Sequence, residues 1–241
     1  MDKILITSGD KYKLKERILQ NPKEKLVFAF LNSHDVYQFR KNHLFREALQ
    51  KVEKNSVNLP DGTFISLMKG VKKLRGPELT RFFIKDKDLS KGKRHFFLGF
   101  EKEDLDFVAK KFTNLQRNKL YSYNPPYIKG FQFPKKELST IKEKINNSGA
   151  DYLWIGLAAP KQNLLAAEIY SKIKAEKIFN VGAALDFIAE KKKEAPNIWR
   201  NLGIEWLYRL ITDFKYSKWK VWRSFVGTIQ IPFMVKKVEF F

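Results

Sequence analysis

Tyr152-Leu153-Trp154-Ile155-Gly156-Leu157-Ala158-Ala159-Pro160-Lys161-Gln162-Asn163 passes from an apolar run, through a turn holding Gly and Pro, into a helical pattern over 161–175. Lys177-Ile178-Phe179-Asn180-Val181-Gly182-Ala183-Ala184-Leu185-Asp186-Phe187 repeats the passage, with a short helix expected over 183–189. Short apolar runs bounded by turn residues read as buried strands, and the longer amphipathic runs between them as helices. The same alternation extends outward. Lys25 to Phe30 reads as a buried strand, and Ser33 caps a helix expected from 34 to about 52, with Val36, Phe39, Leu44, Ala48 and Val52 near one side. Strands are expected at 56–59, 94–100 and 119–123, helices at 63–72, 79–85, 102–112 and 136–147, and a Pro-rich loop at 125–134. Strands alternating with helices predict an α/β fold: a Rossmann-like, mostly parallel sheet with helices on both faces. In such sheets ligands sit beyond the carboxyl ends of the strands. The loops to inspect therefore hold Asn32-Ser33, Leu59 to Gly62, Pro125-Pro126-Tyr127, Leu157 to Gln162, and Gly182 to Asp186.

Pro196 breaks the pattern, and the last segment has another character. A helix is expected through Trp199, Leu202, Trp206, Leu207 and Leu210. After it, Phe214-Lys215-Tyr216-Ser217-Lys218-Trp219-Lys220-Val221-Trp222-Arg223 interleaves aromatics with four basic residues. Trp219, Trp222 and Val226 share a helical face, although Lys215 falls on the same side. The expected organisation is an α/β core over 1–195 and a basic, aromatic helical appendage over 196–241.

Composition narrows the function classes. Among 241 residues, 47 Lys and Arg outnumber 26 Asp and Glu, a net charge of +21. Such a balance favours an anionic partner: nucleic acid, an anionic membrane face or a phosphate-rich substrate. With no Cys, disulfides, thiolate metal sites and a Cys nucleophile are excluded. A content of 44% hydrophobic residues suffices for a core. Met1 to Gln20 has no apolar core of a signal peptide. The longest uncharged run, Ser224 to Val235, has 12 residues, against the ~20 that a spanning helix needs. These features predict a cytoplasmic protein that lies on a membrane surface rather than crossing it.

Several strings carry chemistry, each beside a plainer alternative. Asp61, at a strand end in Asn58-Leu59-Pro60-Asp61-Gly62, is a general base or merely a turn Asp. Lys161 and the helix start after Pro160 suit a diphosphate, or form an ordinary strand–helix loop. Small residues at 182–184 admit a ligand close to the backbone, with Asp186 accepting from ribose or base, or they allow tight helix–sheet packing. Asp104-Leu105-Asp106 lies in a helix rich in acids and reads as a helix start, not a metal site. His34, His43 and His95 lack ligand spacing, and His95 sits inside an apolar strand. The aromatic and basic tail suits a membrane interface or stacking on single-stranded nucleic acid.

Taken in order, these strings resemble the WecG/TagA/CpsF glycosyltransferases. Leu59-Pro60-Asp61-Gly62, Lys73-Leu74-Arg75-Gly76-Pro77-Glu78-Leu79, Pro160-Lys161-Gln162, Gly182-Ala183-Ala184-Leu185-Asp186-Phe187, and Ala195-Pro196 followed by Gly203-Ile204-Glu205-Trp206-Leu207-Tyr208-Arg209-Leu210 stand where that family has its patterns. Phe30 replaces the family's Thr, Asn163 its Glu and Glu194 its Arg. The resemblance implies inverting transfer of an N-acetylmannosamine-type or related hexose from a UDP-sugar to a polyprenyl-diphosphate-linked saccharide, in cell-surface polysaccharide synthesis. It implies Asp61 as base, Asn32 and Gln162 in the sugar pocket, Lys73 and Arg75 at the diphosphate, and Gly182 and Asp186 at the nucleotide. Tyr127 and Lys161 join the expected binding residues. Arg209 is expected to help close the site, with Trp219, Trp222, Lys218, Lys220 and Arg223 docking on an anionic membrane at the inner face of the cell membrane. Side-chain cations, with no essential metal or cofactor, are expected to neutralise the leaving group. Two other readings stand beside it: a nucleic-acid-binding protein, which does not explain the ordered strings, and a non-catalytic membrane scaffold of the same fold, against which the retained Asp61 and Gln162 argue.

Overall fold

Strands that are apolar on both faces need helices on both faces, and the chain supplies them. A computed structural model describes residues 3–8, 10–66, 68, 70–201, 208, 211–212 and 214–239. In chain order the first half holds β1 (Ile4–Ser8), α1 (Lys11–Gln20), β2 (Leu26–Leu31), α2 (Ser33–Lys41), α3 (His43–Lys51), β3 (Ser56–Pro60), α4 (Thr63–Ser66), α5 (Gly76–Lys85), α6 (Lys87–Ser90), β4 (His95–Leu98) and α7 (Lys102–Lys111). The second half holds β5 (Leu120–Tyr123), α8 (Lys135–Ser148), β6 (Tyr152–Ile155), α9 (Lys161–Ile169), β7 (Lys177–Asn180), α10 (Ala184–Ile188), α11 (Asn197–Asn201), α12 (Phe214–Met234) and β8 (Val235–Glu239). Among the described residues, six strands form one sheet in the order β3-β2-β7-β6-β4-β5. Each of its pairings is parallel. The expected α/β fold is therefore present.

Every residue of β2, β4, β6 and β7 is buried. One face packs against Val36, Phe39, Ile141, Ile145, Leu165 and Ile169 of α2, α8 and α9. The other packs against Leu14, Ile18, Phe83, Val108 and Leu185 of α1, α5, α7 and α10. On that second face Phe28, Phe179, Trp154 and Phe97 stack across four adjacent strands. His95 belongs to the same layer. Its Nδ1 accepts from the Trp154 indole at 3.1 Å, and burial pushes its pKa down to about 4, so it is a neutral core residue.

Several expected boundaries are corrected. The helix over 34–52 is two helices, because Asn42 ends the first through its own N–H to the Gln38 carbonyl (2.7 Å). Its side chain then caps the second by accepting from the Phe45 N–H (3.2 Å). The helix over 63–72 stops at Ser66, before the left-handed turn at Gly70 (φ +75°). The helix from 161 ends at Ile169 and tightens into a 3₁₀ turn over Tyr170–Lys172. The expected helix through Leu202, Trp206, Leu207 and Leu210 lies largely outside the described residues.

Two strands have no counterpart in the sequence reading. β1 and β8 pair in parallel, from Ile4 opposite Val235 to Ser8 opposite Glu239. This ribbon lies beside β3, where the Asn58 amide donates to the Leu5 carbonyl (2.9 Å). β8 follows α12 without a loop, and α12 lies along α2. The crossing is close enough to require glycine: a Cβ on Gly227 would overlap the Ser33 carbonyl oxygen, with the carbonyl carbon only 2.7 Å away. Beside it, the Thr228 hydroxyl meets the Ser33 hydroxyl at 3.1 Å.

Gly227→Ala separates two opposing effects. Helix propensity alone favours Ala by ~1 kcal/mol, whereas overlap with a backbone carbonyl costs more, because no side chain can swing away. We expect a net destabilisation of about 2 kcal/mol or more, read as a lower urea midpoint. A variant as stable as wild type or more so would show that α12 does not cross α2 at this residue.

Candidate active site

The parallel sheet brings the loops after β2, β3 and β7 to one edge, and a cleft of about 410 Å³ opens there. Asp61 follows β3 and is fixed by its own N–H to the Leu31 carbonyl of β2 (2.8 Å). Gly62 turns the chain immediately afterwards with φ +100°, so the Asp-Gly pair is indeed a turn, and it also places Asp61 in the cleft lining. Asn32 follows β2 and caps α2. Its Oδ1 accepts from the His34 N–H (2.9 Å), while its N–H donates to Asp35 Oδ2 (2.9 Å). The capping box thus accounts for the local conformation of two lining residues, Asn32 and Asp35.

The positive wall comes from the segment before α5. The Leu74 N–H bonds to the Pro60 carbonyl (2.9 Å), which ties this segment to the end of β3. Lys73 Nζ donates to the Thr63 hydroxyl (3.4 Å), and Arg75 is paired with Glu78 at 2.7 Å. Arg75 is also the residue preceding α5, whose N-terminus has no side-chain cap. The helix dipole therefore adds positive potential where Arg75, Gly76 and Pro77 line the cleft. Gly76 packs against Phe30, whose ring carbon lies 3.4 Å from where a Cβ would stand. Phe30, the residue in the family's Thr position, is thus a cleft wall supporting α5.

The floor is made of amides. Gln162 and Asn180 line the cleft and are 6% and 2% exposed. Gln162 Oε1 and Asn180 Oδ1 have no hydrogen-bond partner among the described residues. An unpaired buried acceptor costs about 1–3 kcal/mol, which a ligand that donates there would offset. Gly182, with φ +52°, leaves room above Gln162, since a Cβ there would stand 3.5 Å from Oε1. Asn163 is also buried, with both amide atoms unpartnered, but it does not line the cleft.

Asn32, Asp61, Lys73, Arg75, Gln162 and Gly182 are therefore brought together, and three other expected residues are not. Lys161 turns its ammonium to the Ile128 carbonyl (3.1 Å), beside the Tyr127 and Phe133 rings. Desolvation there lowers its pKa. Tyr127 is 92% exposed on the Pro-rich loop, away from the lining. Asp186 pairs with Lys192 at 2.5 Å, and its helical neighbour Phe187 faces the cleft instead. Arg209 lies outside the described residues. Glu194, where the family has Arg, is ion-paired with Arg81 of α5. Asp104 caps α7 by accepting from the Glu101 N–H (2.8 Å), as expected of a helix start. Among the described residues no group of three acidic or His side chains converges to hold a metal.

The sequence reading missed the wall formed by α12. Val221, Ser224 and Phe225 line the cleft from that helix. Their i, i+3, i+4 spacing is the signal of a common face, but only the β1–β8 pairing and the Gly227 crossing bring that face to α2.

The family model described as "Glycosyl transferase WecG/TagA/CpsF family" matches residues 5–237. A Staphylococcus aureus (strain NCTC 8325 / PS 47) protein named N-acetylglucosaminyldiphosphoundecaprenol N-acetyl-beta-D-mannosaminyltransferase is 28% identical over 120 residues, 50% of this chain and 45% of that one. The protein of the same name from strain MRSA252 is 34% identical over 79 residues, 33% of this chain and 31% of that one. These matches span less than half the length of the curated relatives. The family match runs through nearly the whole chain, from β1 to β8, and the chain belongs to the WecG/TagA/CpsF glycosyltransferase family.

Proposed function

We propose that the cleft transfers a hexose, of the N-acetylmannosamine type or related to it, from a UDP-sugar to a polyprenyl-diphosphate-linked saccharide, with inversion. The observation that carries this reading is the meeting of a carboxylate, two cations and unpaired amide oxygens in one cleft. The relatives' names, which specify a diphosphoundecaprenol-linked N-acetylglucosamine, support the acceptor class. Asp61 takes the proton of the acceptor hydroxyl as its oxygen attacks the anomeric carbon. The bond from that carbon to the UDP oxygen breaks, and its electron pair stays on the diphosphate. Lys73, Arg75 and the α5 N-terminus face the charge that develops. Asn32 and Gln162 hold the sugar, and Gly182 lets the nucleotide approach the backbone. No essential metal or other cofactor is assigned, because these side chains supply the positive charge.

The segment 196–241 is the part we assign to an anionic membrane at the cytoplasmic face, and its helix α12 also lends one wall of the cleft to the transferring core of 1–195. No helix among the described residues is long and apolar enough to cross a membrane. Instead α12 exposes Trp219 (73%), Trp222 (58%), Phe225 (57%), Ile229 (58%) and Phe233 (69%). Their spacing by three and four residues puts them along one face, a stripe about 20 Å long. Arg223 lies over the Tyr37 ring at 5.9 Å, while Lys218 and Lys220 belong to the same helix. Phe225 is common to the stripe and the cleft lining, so a lipid-linked acceptor held at the surface would lie beside the reacting groups.

Turnover of a UDP-sugar with a short-chain polyprenyl-diphosphate acceptor tests the reaction. Asp61→Asn should lower kcat by about 10²–10⁴-fold while leaving UDP affinity within about twofold. Wild-type turnover should persist in EDTA. Full activity in the variant would remove Asp61 from the mechanism, and loss in EDTA with recovery in manganese would overturn the metal-free assignment. Sedimentation with phosphatidylglycerol vesicles tests the docking. Trp219→Ala/Trp222→Ala/Phe233→Ala should bind them at least about tenfold more weakly than wild type, and equal partition of the two would contradict the stripe.

A further inference from the structure

The cleft is chemically two-sided, and its two sides demand different things of a ligand. Lys73, Arg75 and the α5 N-terminus offer positive charge and donors, and suit an anion. The floor offers acceptors. Asn180 Oδ1 and Gln162 Oε1 are buried, unpartnered among the described residues, and belong to side chains lining the cleft. A diphosphate at neutral pH has no hydrogen to donate to them, whereas the transferred sugar has hydroxyls and, when acetamido-substituted, an amide N–H. The ribose hydroxyls and uracil N–H of the nucleoside also donate, and comparing UDP with UDP-sugar separates the two sources.

Asn180 is the less replaceable of the two by position. It is the last residue of β7, paired opposite Ala29 of β2 and Ile155 of β6. Its neighbours on both sides are thus strands, whose backbone groups are engaged in the sheet, and its Oδ1 has no partner among the described residues. The strand that delivers Asp61 is β3, two strands away through β2. Asn180 is level with Asn58, three residues before Asp61. With strands ~4.8 Å apart and a rise of ~3.3 Å per residue, Asp61 stands about 14 Å away, displaced both across the sheet and further out along the strands, which leaves room for a hexose ring and the attacking oxygen between them.

We propose that Asn180 is a specificity-determining residue: its Oδ1 accepts a hydrogen bond from a hydroxyl or amide N–H of the transferred sugar, with Gln162 beside it. The assignment rests on the glycosyl-transfer reading above and adds to it which residue reads the sugar rather than the nucleotide. Asn180 touches the substrate away from the reacting bond, so it acts on donor choice and not on proton transfer.

Calorimetric titration of the full chain with UDP and with UDP-N-acetylmannosamine, UDP-N-acetylglucosamine and UDP-glucose tests this directly. For Asn180→Ala, affinity for the UDP-sugar that wild type binds best should fall at least about tenfold, while UDP affinity stays within about twofold. Retained UDP binding also shows that the variant folds. The melting temperature of the ligand-free variant should not fall, because an unpaired buried acceptor oxygen has been removed, and a merely structural role would lower it. Equal losses for UDP and UDP-sugar, no loss for either, or a lower melting temperature would each overturn the assignment. Wild type that binds neither UDP nor any UDP-sugar would contradict the glycosyl-transfer reading, and this assignment with it.

Discussion

Four aromatic rings on four neighbouring parallel strands set the geometry on which the cleft depends. Phe28 and Phe179 stack at 4.7 Å, Phe179 and Trp154 at 4.2 Å, and Trp154 and Phe97 at 6.2 Å, with interplanar angles of 13°, 11° and 12°. They are also register partners across β2, β7, β6 and β4. A slip of one residue would send a whole strand's side chains to the opposite face, so each stacked pair specifies register as well as contributing packing energy. With register set, the ends of the strands are set too. Leu31 stands opposite Pro60, and Asn180 opposite Ala29 and Ile155. The next residues along the chain, Asn32, Asp61 and the turn at Gly182, then emerge at a single edge.

The second constraint is the contact of Gly227 with Ser33. A helix that carries exposed aromatics on one side is pressed by its other side onto the helix capped by Asn32. It is tied at its far end by β8, which reaches back to β1 beside β3. Both chain termini therefore contribute to the position of α12, and through Val221, Ser224 and Phe225 to the shape of the cleft. The net charge of +21 acquires places as well. Part of it faces the cleft in Lys73 and Arg75, and part sits on α12. Pairs such as Lys191 with Asp104 and Lys192 with Asp186 cancel locally and add nothing to it.

Much of this was legible in the sequence because parallel strands and their crossover helices leave strong periodic marks. The strand-and-turn passages at 152–163 and 177–187 gave the layer architecture, and the rule that chemistry follows strand ends gave Asn32, Asp61, Gln162 and Gly182. What escaped has physical reasons. Asn42 ends one helix and begins another while the apolar spacing continues past it, so periodicity alone reads through the break. The β1–β8 pair joins residues 4–8 to 235–239, and no local pattern announces so distant a pairing. Asp186 and Phe187 are neighbours in a string that matched in full, yet the helix turns them about 100° apart and gives the cleft to Phe187. The unpaired amide oxygen of Asn180 was invisible because it depends on what the neighbouring strands fail to offer.

The central claim is that one cleft, at the carboxyl ends of β3, β2 and β7, holds the nucleotide sugar. A crystal structure of the protein with bound UDP-sugar tests it most directly. The account predicts the diphosphate against Lys73 and Arg75, and the sugar over Gln162 and Asn180 with its anomeric carbon facing the Asp61 side. A nucleotide sugar bound on another face of the molecule, or in this cleft with the diphosphate over the amides and the sugar at the cations, would contradict it.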